Sequence, residues 1–232
     1  MHTPNGASLK SQRGQAAVES AIALPMSLFV ILGALQMSMM QQARMLTDYA
    51  AYKGARAASV GRAECPIISR AEVAALVPSL GRADNVDTWT KTFNKYAPSP
   101  SFNKDPQTGL PVVYTEYKIE NKVTPFDKPL QPNEQPEKIH LRLHYFYQLR
   151  IPFADRLIAK YFLAERGLEQ WAGTVDAINP TKETTQPPSR SSGPDVVIAK
   201  NYYNQGIYVV PLQASWSFRM FSQAAKTQGG CQ

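Results

Sequence analysis

Cysteine is scarce in this chain of 232 residues: Cys65 and Cys231 are the only two, too few to build a Cys-rich metal framework. Runs of like charge are missing too. No five acids or bases stand together, and no basic cluster is interleaved with stacking aromatics, so no nucleic-acid partner is expected. A net charge of +7, from 25 Lys+Arg against 18 Asp+Glu, leaves room only for a weak attraction to anionic surfaces. The chain also lacks a phosphate-cradling P-loop, a G-x-S-x-G elbow, an H-E-x-x-H pair and a C-x-x-C pair. Its acids are scattered, without an evident carboxylate pair. No catalytic residue, cofactor or metal is therefore expected.

What is present is unevenly spread. Apolar residues make up 44% and charged residues 19%, which excludes general disorder and supplies a packed core for one sizeable domain or two small ones. Between Ala21 and Met40 lie twenty consecutive residues without a charge. At about 1.5 Å per residue a helix of that length spans roughly 30 Å, the thickness of a bilayer's hydrocarbon core. Few soluble helices are apolar all round for so long. A secretory signal peptide has a shorter apolar region and a small-residue cleavage site, and neither fits.

The residues ahead of this run define it further. The leader MHTPNGASLKSQRG carries Lys10 and Arg13 and no acid, and Glu19 is the only charge between Arg13 and Arg44. A carboxylate at the mouth of an apolar helix is costly unless it finds a partner. Cleavage after Gly14 would create one, the new amine of Gln15, in the same chain or a neighbour's. The helix dipole also favours an acid near an N-terminus.

Arg13-Gly14-Gln15-Ala16-Ala17-Val18-Glu19, followed at once by an apolar helix, resembles the class III leader of type IV prepilins. With Pro25 in the run and DYAAYKGARAASVGR after it, residues 13–62 resemble the TadE-like family, minor pilins or pseudopilins of tight-adherence (Flp-type) pilus systems. Ser20 departs from the aromatic often found after the glutamate in that family, and the soluble part is longer than in a minimal member. The resemblance implies cutting by a prepilin peptidase between Gly14 and Gln15, and a role for Glu19 in assembly. It implies as partners other pilins or pseudopilins, the inner-membrane pilus platform and inner-membrane lipid.

Three parts are expected: a leader over residues 1–14, a transmembrane stem helix over 15–61, and a periplasmic or extracellular α+β domain over 62–232. Pro25 lacks an amide hydrogen and crowds the carbonyl of Ala21, so a kink is expected there. Ala43, Ala50, Ala51, Gly54, Ala57 and Ala58 form a slim face suited to close packing, on the protein's own sheet or on neighbouring subunits. Counting charge on either side of the span does not decide orientation. The leader implies a cytoplasmic N-terminus, and large C-terminal domains translocate largely regardless of charge. In an oxidising periplasm Cys65 and Cys231 are placed for one long staple; two unpaired thiols are the alternative.

Beyond residue 62 the reading is α+β, with a small antiparallel sheet covered by helices. Ala71–Val77, ended by Pro78, and Val86–Lys95 read as short helices. Alternation marks strands at Val113–Glu120, at Lys138–Leu149 and at Tyr208–Phe218. Phe153–Leu168 reads as an amphipathic helix with the stripe Phe153, Leu157, Ile158, Tyr161 and Phe162, covering the sheet or lying on a membrane surface. Asn179–Pro194 reads as an exposed loop. His140 and His144, on the polar face of the second strand, stand about 13 Å apart and face solvent, too far to share a metal. Trp171, Tyr202, Tyr203 and Trp216 read as core and edge filling. The expected role is therefore structural: a TadE-like subunit of a pilus or related secretion machine. A signal-anchored binding or adhesion module that never enters a filament is the alternative, and a membrane-tethered enzyme comes last.

Overall fold

The computed structural model describes residues 9–97, 103–120, 129, 136–152, 154–165, 194–224 and 228–231, with backbone alone over 9–16, 164–165 and 228. Helix α1, Leu9–Val60, is 52 residues long and reaches about 78 Å at 1.5 Å per residue. It begins six residues ahead of the expected start at residue 15. Leu9, Lys10, Gln12 and Arg13 are good helix formers, and Gly14 alone weakens that stretch. Pro25 lies within the helix, which continues on both sides of it.

A turn at residues 61–63, with Arg62 and Ala63 at left-handed φ of 59° and 57°, reverses the chain into α2, Cys65–Leu80. Pro66 sits in its first turn, where a missing amide hydrogen costs nothing. This helix is longer than expected at both ends, and Pro78 falls inside its last turn instead of stopping it. Helix α3, Val86–Tyr96, opens with a capping box: Thr88 N donates to Asn85 Oδ1 at 2.8 Å, and Asn85 N donates to Thr88 Oγ1 at 3.1 Å.

Strands β1 (Val113–Ile119), β2 (Lys138–Gln148), β3 (Val209–Arg219) and β4 (Gln228–Cys231) form one antiparallel sheet in the order β3-β2-β1-β4. The register sets Leu143 of β2 between Thr115 of β1 and Ala214 of β3. One face carries Val113, Tyr117 and Ile119 with Ile139, Leu141, Leu143, Tyr145 and Tyr147, and there α1 and α2 cover it. The fold is α+β, a small sheet covered by helices, as the period-two runs required.

Helices α4 (Ala154–Glu165) and α5 (Pro194–Asn204) complete the described chain. Helix α5 is not anticipated in the sequence, and its first residue, Pro194, is helical where the end of a loop is expected. It buries Asp195, Val196, Ile198, Ala199 and Tyr202, and packs Tyr202 near Phe146 on the sheet's second face. The rest of that expected loop, the end of the helix expected to reach Leu168, and most of the Pro-rich linker Pro125–Pro136 lie outside the described residues. β4 was missed as well, because its Gly229 and Gly230 carry no side-chain pattern. A Cβ on Gly229 would stand 2.9 Å from Tyr117 Oη, so glycine is what lets this strand close on β1.

Candidate functional site: the stem helix and its seat

Along α1 the surroundings change abruptly. Every residue from Ala17 to Ile31 is exposed around the whole circumference, with Val30 at 71% and Leu28 at 52%. Exposure of large apolar residues continues at Leu35, and the first fully buried residue is Gln36. Residues 17–35 amount to about 28 Å of helix at 1.5 Å per residue, enough for a hydrocarbon core. Ser20 and Ser27 inside this stretch donate to the helix's own carbonyls of Ala17 and Leu24, at 3.0 and 2.9 Å. Such internal satisfaction is what a helix needs where water is absent. The chain thus has one N-terminal apolar helix compatible with a single-pass membrane anchor. Gly14 and Gln15 lie within the backbone of α1, and Glu19 is exposed near the start of the bare stretch.

Above Gln36 the helix is seated in the domain. Ala43, Thr47, Ala50, Ala51, Gly54, Ala55 and Ala58 form a buried stripe that packs on α2, β2 and β3. The small face named from the sequence therefore packs on the protein's own core at this height. Three hydrogen bonds fix the ends of the seat. Gln36 Oε1 accepts from Ile151 N at 3.1 Å, and Ser59 O accepts from Phe221 N at 2.9 Å and from Ser222 Oγ at 3.0 Å. β3 accordingly runs alongside α1 in the same direction.

Between α1, α2 and β1 sits a carboxyl that the sequence reading did not single out. Glu72 is fully buried, accepts from Thr115 Oγ1 at 2.8 Å through Oε2, and faces Gly54 so closely that a Cβ there would lie 2.5 Å from Oε1. Burial disfavours its charged form and pushes its pKa up to about 8, only partly countered by the Thr115 hydrogen bond. The neutral form is therefore the one this site favours at pH 7. The signal was available: Glu72 falls in the i, i+4 row between Ile68 and Leu76. Beside it, Cys65 and Cys231 are joined in a disulfide, with Cα atoms 5.2 Å apart and a sequence separation of 166. The bridge ties the first residue of α2 to the last of β4.

The histidines divide. His140 is half-exposed, with Nε2 3.0 Å from Glu120 Oε1 and Nδ1 2.7 Å from Ser217 Oγ. His144, expected to face solvent, is buried under α5, with Nδ1 3.7 Å from Asp195 Oδ2. Burial holds its pKa below the usual histidine value, although Asp195 and Glu116 pull the other way. Missing α5 is what misplaced it. Among the described residues no three His, Cys, Asp or Glu come together as a metal site.

The uncovered part of the second sheet face is a groove of about 730 Å³, lined by Tyr114, Glu116, Lys118, His140, Arg142 and Ser217 among others. Of the four aromatics named from the sequence, Tyr202 is buried in the second core and Tyr203 packs on the first. Trp216 is 45% exposed at the β3 edge, 5.6 Å from the Tyr52 ring, and Trp171 lies outside the described residues.

Comparison with known proteins falls on the same helix. The family model described as TadE-like protein matches residues 14–56, the segment on which the resemblance rested. No curated protein and no solved structure matches the chain. The matched residues take in both the bare stem and most of the seated half of α1.

Proposed function

We propose that this chain is a minor pilin or pseudopilin that takes part in assembling a tight-adherence (Flp-type) pilus or a related secretion machine. The coarser part of this statement, a Tad pilus-associated protein, follows from the TadE-like match over residues 14–56. The observation that carries the finer part is the bare stem: about 28 Å of helix, apolar on every side and attached to a folded domain, in the same residues as that match. Such a surface is stable in lipid or in the interior of a helical bundle, and in no aqueous setting. In this reading a prepilin peptidase cuts between Gly14 and Gln15, the stem waits in the inner membrane with its domain in the periplasm, and Glu19 pairs with the freed amine on assembly. The role is structural and not enzymatic. Partners are other pilins or pseudopilins and the inner-membrane platform.

The test is the mature N-terminus, measured by mass spectrometry on protein from its own cells. A start at Gln15 is expected; an intact Met1 leaves only a tether. Replacing Glu19 by Ala is expected to leave the chain in the membrane and abolish its assembly, and unchanged assembly would remove the role assigned to that acid.

One observation favours a second reading, a signal-anchored binding or adhesion module. The groove on the sheet, with its mixed acids, bases and tyrosines, has the size of a ligand site. An intact leader together with a ligand held in that groove would favour this reading over the first.

A further inference from the structure

The bonds that fix α1 in its seat also give the domain a lower and an upper end. Gln36 binds Ile151, just past the end of β2, while Ser59 binds Phe221, just past the end of β3. The end of β2 and the start of β3 therefore lie toward the bare stem. Leu149 N donates to Tyr208 O at 2.9 Å and closes that end. Helix α4 starts three residues after Ile151, packs on α1 and β3, and so belongs to the lower end of the domain.

The stripe expected on α4 is divided. Ala159 and Leu163 are buried, with Ile158 and Phe162 partly so, whereas Leu157 and Tyr161 are 65% and 67% exposed. Ala159 is small enough to let the helix axis approach the core, and this turns the larger pair outward. At i and i+4 the pair forms one ridge, opposite the buried side. Arg156 is exposed beside it and Lys160 is half-buried, and Arg150 is exposed just before the helix. Against these three bases, residues 150–165 hold two acids, Asp155 and Glu165, and the Arg150 guanidinium donates to Ser79 O at 2.6 Å.

We infer that α4 is a second membrane contact, its Leu157–Tyr161 ridge resting in the headgroup and upper acyl region of the bilayer beside the point where α1 emerges. The inference rests on the reading of the stem as membrane-inserted. Three observations support the bilayer as the occupant. α4 lies at the end of the domain from which the bare stem leaves. Its outward ridge pairs an aliphatic with a tyrosine, the amphipathic ring favoured at membrane interfaces. Its flanking bases match anionic headgroups. In this arrangement the domain is held against the membrane at two points, and tilting about the stem is restricted until the subunit leaves the bilayer.

The test uses the full chain in phosphatidylcholine–phosphatidylglycerol vesicles, with one polarity-sensitive fluorophore at a time on L28C, L157C or R56C and with lipids brominated in the upper acyl chain as quenchers. The native cysteines are bonded to each other and do not take the label. Arg56 is the aqueous reference, about 30 Å above Gln36 along the helix. Strong quenching at residue 28, about half as much at residue 157 and almost none at residue 56 is the expected result. Quenching at residue 28 with a water-exposed label at residue 157 overturns the inference and leaves the stem reading intact. A label at residue 157 shielded without lipid quenching, and more so as protein concentration rises, assigns the ridge to a second copy and equally overturns it. No quenching at residue 28 defeats the stem reading itself, and this inference with it.

Discussion

One helix carries two opposite surfaces. Over residues 17–35 of α1 the large apolar side chains are exposed, and over 37–60, beyond the buried Gln36, the buried side chains are small: alanines, a glycine, a threonine and a serine. In a soluble domain the order would be reversed, with the leucines and isoleucines inside. The difference teaches that side-chain size along this helix is set by the neighbour it meets. Lipid or another stem accepts large side chains at any angle, so the lower half has no preferred face. The sheet and α2 approach the upper half closely, and only Ala and Gly let the backbones come near enough.

The largest expected effect comes from releasing what holds the seat together. The Cys65–Cys231 bridge closes a loop of 166 residues, worth about 5 kcal/mol in the chain-entropy model. It binds α2 to β4, the two elements that pack against the β1 side of the sheet. Cys231→Ser is expected to lower the denaturation midpoint of the full chain in detergent micelles by most of that amount, while membrane insertion of the stem is unchanged. A matching loss of insertion would show that the two halves of α1 depend on each other.

Glu72 sharpens the comparison by pH. The folded chain keeps the proton up to about pH 8, whereas an unfolded chain releases it near 4.5, so folding takes up a proton between those values. The seat is therefore less stable as pH rises. Between about pH 5 and about pH 8 the loss is roughly 3–4 kcal/mol, the slope reaching about 1.4 kcal/mol per unit only in the middle of that range. Glu72→Gln, which keeps the Thr115 hydrogen bond within reach, is expected to remove that slope and to raise stability at the alkaline end. Urea midpoints of the two chains across that range decide the matter; a slope that survives in Glu72→Gln assigns the pH dependence to other groups.

The two halves of α1 were unequally legible in sequence. The lower half needed no structure, because twenty uncharged residues behind a basic leader constrain the answer by length alone. For the upper half the small residues were visible but not their partner; packing on α2 and the sheet is a tertiary fact. The three long strands were readable because alternation survives in sequence, with Leu141, Leu143 and Tyr145 set against His140, Arg142 and His144. β4 was not, since Gly229 and Gly230 are held by pairing and by the disulfide. α5 was hidden because Asp195-Val196-Val197-Ile198 mixes a helix-start acid with a β-branched run, and without α5 His144 faced solvent. On α4 the sequence shows one stripe of large residues without showing which of them face the core, and it is the small Ala159, outside that stripe, that packs inward with Leu163.

The smallest effect tests the size rule directly, by exchanging the two kinds of side chain. Ala51 is fully buried in the seat and Leu28 is half-exposed on the bare stem. Ala51→Leu forces three extra carbons into a contact that admits none, and overpacking of this kind costs about 1–3 kcal/mol. Leu28→Ala removes the same atoms from a surface that touches nothing else in the domain, so the domain's denaturation midpoint is expected to stay within about 0.5 kcal/mol of the parent. Assembly should respond the other way round. Leu28→Ala weakens whatever the stem packs against, whereas Ala51→Leu leaves the bare surface as it was. The measurement is the pair of midpoints in micelles together with recovery of each variant in sheared filaments. If Leu28→Ala lowered the midpoint as much as Ala51→Leu, the lower half of α1 would be part of the folded core, and the contrast between the halves would be lost.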